Sequence, residues 1–269
     1  MVVLGLALAV LSPVATAGAE TLTLVADEWC PYNCTPGDEK PGFLVEIVKK
    51  VFEPQGFTVD YKIVPWARAI RDTRAGRYSA ILGAIRSEAP DFHYADGTGF
   101  PAGTQAFVKP GSPWKYAGPA SLDAATLGVI LDYSYGDTAD KYIAQHRSDT
   151  KRVQLSTGED ALEKNVAKLV QGRVSVLLED PAVMRYFLDK TNQTGAVAPA
   201  GALEDTEVFV AFGPHEEHAA EHAKMLADGM RRMRESGELA RILARYGQKS
   251  EATATAATAR PAAPPDIGH

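Results

Sequence analysis

Side chains able to grip a small charged molecule stand directly after the strand-length apolar runs of this sequence. Glu28, Trp29 and Tyr32 follow Thr21–Ala26, and Trp66 and Arg68 follow the alternating stretch Phe57–Val64. Arg86 follows Tyr78–Ile85, Ser134, Tyr135, Gly136 and Thr138 follow Leu127–Leu131, Thr157 follows Arg152–Leu155, and Asp180 follows Val174–Leu178. A guanidinium such as Arg86 offers a planar donor fork matched to a carboxylate or phosphate. Trp29, Tyr32, Trp66 and Tyr135 can wall an apolar or cationic part of a ligand. Backbone N–H groups around Ser134–Thr138, at a helix start, suit an anion. Each residue also has a plainer use: Asp137 or Thr138 as a helix cap, Asp180 as the cap of the helix that Pro181 opens, Arg68 as a solvated charge, and Asp27 and Glu28 as acceptors for loop donors.

The elements that must position these groups are legible as alternating strands and helices. Phe43–Phe52 has helical periodicity and is stopped by Pro54 and Gly56, and a second helix runs from Trp66 to Ala75 with Gly76 after it. Thr138–His146, Thr157–Gln171 and Pro181–Leu188 read as further helices, the second opened by Thr157 with Asp160 three residues on. Short strands are expected at Thr104–Lys109 and Glu207–Phe212, and Glu216–Arg245 reads as two helices around Ser236 and Gly237. Strand–helix alternation implies an α/β fold with a partly parallel sheet, and ligands of such sheets sit beyond the strand C-terminal ends. The closing helices have little sheet of their own and must pack on the first block. Two α/β lobes follow: residues 20–106 plus 208–248, and residues 109–206, with chain crossings near Phe107 and Val208 as a hinge.

Composition narrows the function classes. Hydrophobic residues make up 45% of 269, enough for a folded core. A net charge of −6 without a basic stripe argues against nucleic acid. Met1–Leu11 is apolar and is followed by a small-residue run ending Ala17-Gly18-Ala19, which reads as an export signal cleaved after Ala19. Export permits a small disulfide ring at Cys30 and Cys34, read as a structural clip; zinc would need further ligands. His218 and His222 lack a third convergent ligand, so no metal or other cofactor is expected and the pair reads as a solvated helix face. The Ala-, Thr- and Pro-rich segment 249–269 reads as a disordered tail.

Several segments, weak singly but ordered and spaced together, resemble the family 3 periplasmic solute-binding proteins of ABC importers, in a divergent branch of the polar amino acid type. They are Gly42-Phe-Leu-Val-Glu-Ile, Trp66 before its helix, Gly76-Arg-Tyr-Ser-Ala-Ile, Leu122-Asp-Ala-Ala-Thr-Leu-Gly-Val, Tyr135-Gly-Asp-Thr and Gly172-Arg-Val-Ser-Val-Leu-Leu-Glu-Asp180. The resemblance spans residues 20–247 and implies a bilobed type II binding protein, with the solute in the cleft and a membrane permease and ATPase as partners. It implies that Asp180 meets a ligand amino group, with Glu179 next to it as the substitute. It also marks two departures. Ala89 stands where the family has the arginine that grips an α-carboxylate, two residues after Ser87 and next to the family-matching Glu88, and Ser175 stands where Asp is usual. Either Arg86 takes over the carboxylate or the ligand is not a standard amino acid.

The expected function is a monomeric periplasmic receptor for a small polar, amino-acid-like solute. Arg86 would hold an acidic end and Asp180, with Glu28, a cationic end. Two alternatives share the fold: a dehydratase or lyase of the cyclohexadienyl dehydratase type, with Glu159 or Glu179 as acid or base, and an extracytoplasmic sensory protein.

Overall fold

The computed structural model describes residues 19–248; the export signal and the tail expected from the sequence lie outside them. Strand β1 (Thr21–Ala26) is followed by helix α1 (Phe43–Phe52), β2 (Thr58–Ile63), α2 (Trp66–Arg74), β3 (Ala80–Ala84), the short β4 (His93–Tyr94) and β5 (Phe100–Val108). Then come β6 (Leu127–Ile130), α3 (Asp137–His146), β7 (Val153–Ser156), α4 (Ala161–Val170), β8 (Val176–Glu179), α5 (Pro181–Lys190), β9 (Ala198–Phe212), α6 (Ala219–Glu235) and α7 (Glu238–Arg245). The strands lie in the order β2-β1-β3-β9-β5-β8-β6-β7, with β4 also on β9. This is an α/β fold with parallel pairs β1/β2, β1/β3, β6/β7 and β6/β8, linked by the antiparallel ribbon β5/β9.

Burial on both faces explains the near-continuous apolar strands. In β1, Leu22, Leu24 and Ala26 join one core cluster with α1, α6 and α7, while Val25 joins another with Trp66, Ala69 and Ile70 of α2. In β8, Val176 and Leu178 face one cluster and Leu177 the opposite one. Alternation along a strand sends successive side chains to opposite faces, and helices cover both. The closing helices α6 and α7 pack on α1, in the first core. Phe52 is fully buried there, 5.4 Å from the Phe57 ring and 6.1 Å from that of Phe212. Phe52→Ala should therefore cost about 3–5 kcal/mol in urea unfolding; a loss below about 1 kcal/mol would mean that the site collapses or is not core.

Four sequence expectations need correction. Thr157 does not open α4: the helix starts at Ala161 with Asp160 as its N-terminal boundary, and Thr157 is exposed, its carbonyl accepting from Lys164 Nζ. Strand β9 has 15 residues rather than six, because Ala198–Thr206, poor in strand formers and carrying Pro199 and Gly201, is held by pairing with β5. Strand β5 likewise begins at Phe100, ahead of the expected Thr104. His222 is buried against Phe52, Phe57 and Phe212, with Nδ1 3.2 Å from Glu216 and Nε2 3.6 Å from Glu20, so it does not belong to a solvated face.

Candidate functional site

The loop after β1 is tied down before it reaches the site. Cys30 and Cys34 form a disulfide, and Asn33 Nδ2 donates to the Asp27 carbonyl at 2.6 Å. The first N–H groups of α1, which have no partner within the helix, donate to the loop: Phe43 to Pro31 and Leu44 to Tyr32. This fixes Trp29 in a stack on Tyr32, with ring centroids 4.1 Å apart. The end of β2 delivers Trp66, the turn after β3 delivers Glu88, the end of β6 delivers Tyr133, Ser134 and Tyr135, and the end of β8 delivers Glu179 and Asp180.

These strand ends meet in a set of hydrogen bonds between the two strand groups. Trp29 Nε1 donates to Glu179 Oε1 at 2.9 Å, and Ser134 N donates to Glu88 Oε1 at 2.9 Å. Tyr133 donates its hydroxyl proton to Asp27 Oδ2, and Tyr32 donates to Asp180 Oδ2 at 3.3 Å. Glu88 also accepts from Trp66 Nε1 and Ile85 N. At the rim, Lys190 and Glu28 form an ion pair at 2.7 Å.

Two small chambers flank this seam. The first, about 40 Å³, has Asp27, Asn33, Trp66 and Glu88 in its wall. The second, about 30 Å³, has Tyr135, Glu179 and Asp180. Trp29, Ile85, Tyr133, Ser134 and Val208 line both. Burial disfavours the charged form of the carboxylates here. It pushes Glu179 up to about 8 against the Trp29 and Asp180 N–H donors, with Asp180 and Asp27 adding repulsion. Burial likewise pushes Glu88 up to about 7 despite the Ile85, Ser134 and Trp66 donors, and Asp27 up to about 6 despite Tyr133. Asp180 is raised by burial too, against its backbone donors.

The expected site residues divide accordingly. Trp29, Trp66, Ser134, Tyr135 and Asp180 line the chambers. Tyr32 stands behind Trp29 and donates to the Pro101 carbonyl as well as to Asp180. Asp180 is itself the cap of α5: Oδ1 accepts from Ala182 and Val183, and Oδ2 from Gly103 and Tyr32. Glu28 sits outside the chambers, on the wall of a separate cavity of about 200 Å³.

Arg86 stands apart from the chambers. Its guanidinium lies over the rings of Tyr94 and Phe209, 4.6 and 4.7 Å from their centroids, and 3.6 Å from Asp96. Aromatic faces and a carboxylate hold it there, away from both chambers. Arg68 is exposed on α2 and lines neither chamber. Gly136 and Thr138 belong to the start of α3 and also stay out of the chamber walls. Two of the backbone donors of that segment are engaged, Ser134 N by Glu88 and Tyr135 N by Asp140 Oδ1. Tyr133, Glu88 and Asn33 line the first chamber without having been expected there. Tyr133 follows the end of β6 as Trp29 follows β1, and that position is its only signal in the sequence.

Loops from two strand groups closing on buried carboxylates and aromatic rings define a solute-binding protein of the periplasmic-binding-protein-like α/β class. The family profile for bacterial extracellular solute-binding proteins, family 3, matches residues 22–249, and the chain belongs to that family. It is a solute-binding protein and not an enzyme, so the lyase alternative falls. Among curated protein sequences no relative matches. Solved structures with the same fold include a histidine kinase sensor domain similar to periplasmic binding proteins, at TM-score 0.71 and 18% identity, covering 85% of this chain and 96% of that one. A variant of ArgBP from T. maritima gives 0.67 and 18%, with 85% and 95% covered. The arginine-, lysine-, histidine-binding protein ArtJ from Geobacillus stearothermophilus gives 0.67 and 16%, with 86% and 97% covered.

Proposed function

We propose that this chain is the periplasmic receptor of an ABC importer, handing an amino-acid-like solute bearing an amino group to a permease and ATPase in the inner membrane. The reading includes an export signal cleaved after Ala19, a monomeric state, and two lobes of residues 20–106 plus 208–248 and 109–206. Two of the similar structures are named for arginine binding. The strand order β2-β1-β3 followed by antiparallel β9 supports a type II arrangement, with β5 and β9 as the crossings.

One observation carries this reading: the hydrogen bonds joining the two strand groups converge on the carboxylates of the chambers. A solute bound between them touches both groups at once and so favours their closed approach. Chambers of about 40 and 30 Å³ hold only water-sized groups, so solute capture needs the halves to part. The β5/β9 ribbon has register shifts between Thr104 and Gln105 and between Gln105 and Phe107, which are places for it to bend. Trp29, Trp66, Tyr133 and Tyr135 serve as walls in this reading, and Glu179, Glu88 and Asp27 receive the amino group.

A thermal-shift panel of amino acids, amines and small acids tests it, since a specific solute raises the melting temperature. With the best solute, Trp29→Ala should lose about 2 kcal/mol of binding or more, roughly thirtyfold. Arg86→Ala should leave the affinity unchanged. Equal losses in the two variants would reject the chambers as the binding site.

A further inference from the structure

We propose that the solute, on the reading just given, is a linear organic dication without a carboxylate: a diamine, or an amine carrying a guanidinium at its far end. The balance of donors and acceptors leads there. Neither chamber is lined by Lys, Arg or His among the described residues. Four nearby cations are paired with carboxylates, Arg86 with Asp96, Lys190 with Glu28, Arg71 with Asp72 and Arg74 with Asp91, the last two arginines lining a separate, more open cavity on the far side of Glu88. Backbone donors whose partners lie in the same strand group stay engaged when the halves part, Tyr135 N on Asp140 and Asp180 N on Glu179. No cation stands in either chamber wall to grip an α-carboxylate.

Acceptors, by contrast, are in surplus. Glu179 is 2% exposed, and its Oε2 is buried without a hydrogen-bond partner in the wall of the second chamber. Asn33 Oδ1, in the wall of the first, and the neighbouring Tyr61 hydroxyl are also buried without a hydrogen-bond partner. Ionising a buried carboxyl without a counter-charge is costly, so Glu179 keeps its proton until a cation arrives to pair with it. An ammonium or guanidinium supplies both the proton donors and the charge. A carboxylate on the same solute would instead be desolvated among like charges.

Two charges, rather than one, follow from the layout. Each chamber has its own pair of carboxylates, Asp27 with Glu88 on one side and Glu179 with Asp180 on the other. The partition between them is Trp29, Ile85, Tyr133 and Val208 with Ser134, an apolar and aromatic surface suited to an alkyl chain. Burial pushes Glu179 up to about 8 and Glu88 up to about 7, so both hold protons near neutral pH that a bound dication should displace.

Matched pairs differing only in the carboxylate decide the matter: agmatine against arginine, cadaverine against lysine, and putrescine against ornithine, by isothermal titration calorimetry on the mature chain. The expected result is that at least one decarboxylated member binds about a hundredfold more tightly than its parent. Its apparent heat should vary with the ionisation enthalpy of the buffer, which reports proton release. Glu179→Gln, with an unchanged circular dichroism spectrum, should weaken it at least tenfold, by the loss of a charged partner. A parent amino acid that binds as well or better overturns the dication and leaves solute capture standing. So does binding of an acid or a neutral solute with no amine bound. Silence across amines, amino acids, acids and sugars alike overturns both.

Discussion

Raising the pH from 5 to 8.5 should lower the melting temperature of the solute-free protein, and Glu179→Gln should flatten that dependence. The cause is the buried Glu179 carboxyl, which the fold pushes up to about 8 from an ordinary value of 4.5. Between those values the folded chain keeps a proton that the unfolded chain has already released. Stability therefore falls as pH rises above the unfolded value, and the loss is complete once pH passes the folded one. The full penalty is on the order of 5 kcal/mol. Glu88 and Asp27, raised to about 7 and about 6, act in the same direction. Carboxylates held below their ordinary value by Arg or Lys, such as Asp91 and Asp228, act oppositely, but only in more acid solution. Thermal melts across this range check the expectation. A flat or rising curve for the unsubstituted protein, or an equal slope in Glu179→Gln, would show that Glu179 is not held protonated by its surroundings.

Gly42→Ala should be the most damaging single-methyl addition outside the chambers. Gly42 precedes α1 at φ 105° and ψ 141°, a region other residues rarely occupy. A Cβ there would lie 2.5 Å from Asn33 Cα and 2.5 Å from the Tyr32 carbonyl oxygen. Both are backbone atoms of the loop that presents Trp29, so no side chain can swing clear. Backbone strain of about 1–3 kcal/mol and overlap of about 1–3 kcal/mol add to a loss of several kcal/mol. The melting temperature should fall by about 10 °C. Because the loop must shift, solute affinity should fall as well, measured at a temperature where the variant is folded. Gly56→Ala is the control: its Cβ would meet nothing within 4 Å, so only the strain of φ 93° remains. Equal stabilities of the two variants would refute the contact as the cause.

The strand–helix order, and the rule that binding groups follow strand ends, are written in contiguous stretches. Periodicity over six to ten residues is enough to place Trp29, Trp66, Ser134 and Asp180 at those ends. Partnership across the seam is not local. Trp29 and Glu179 are 150 residues apart in the chain, and Ser134 and Glu88 are 46 apart. No local pattern marks Tyr133 as the donor to Asp27, or Glu179 rather than Asp180 as the carboxylate with an acceptor to spare.

Arg86 illustrates the limit. Counted by simple alternation from β3, Ala84 should share a face with Leu82, and Arg86 beyond it with both. Instead the pairing with β9 shifts between Leu82 and Ala84, Gly83 has φ 83°, and Ala84 joins the cluster of Ile81. One extra residue in a strand inverts which side every later side chain faces. Sequence by itself determined the α/β class, the element order and the types of group at the strand ends, because these rest on short-range periodicity and turn chemistry. Tertiary structure alone decided which carboxylates are buried together, which acceptor lacks a donor and where the guanidinium goes, because burial and charge depend on chain segments that meet only after folding.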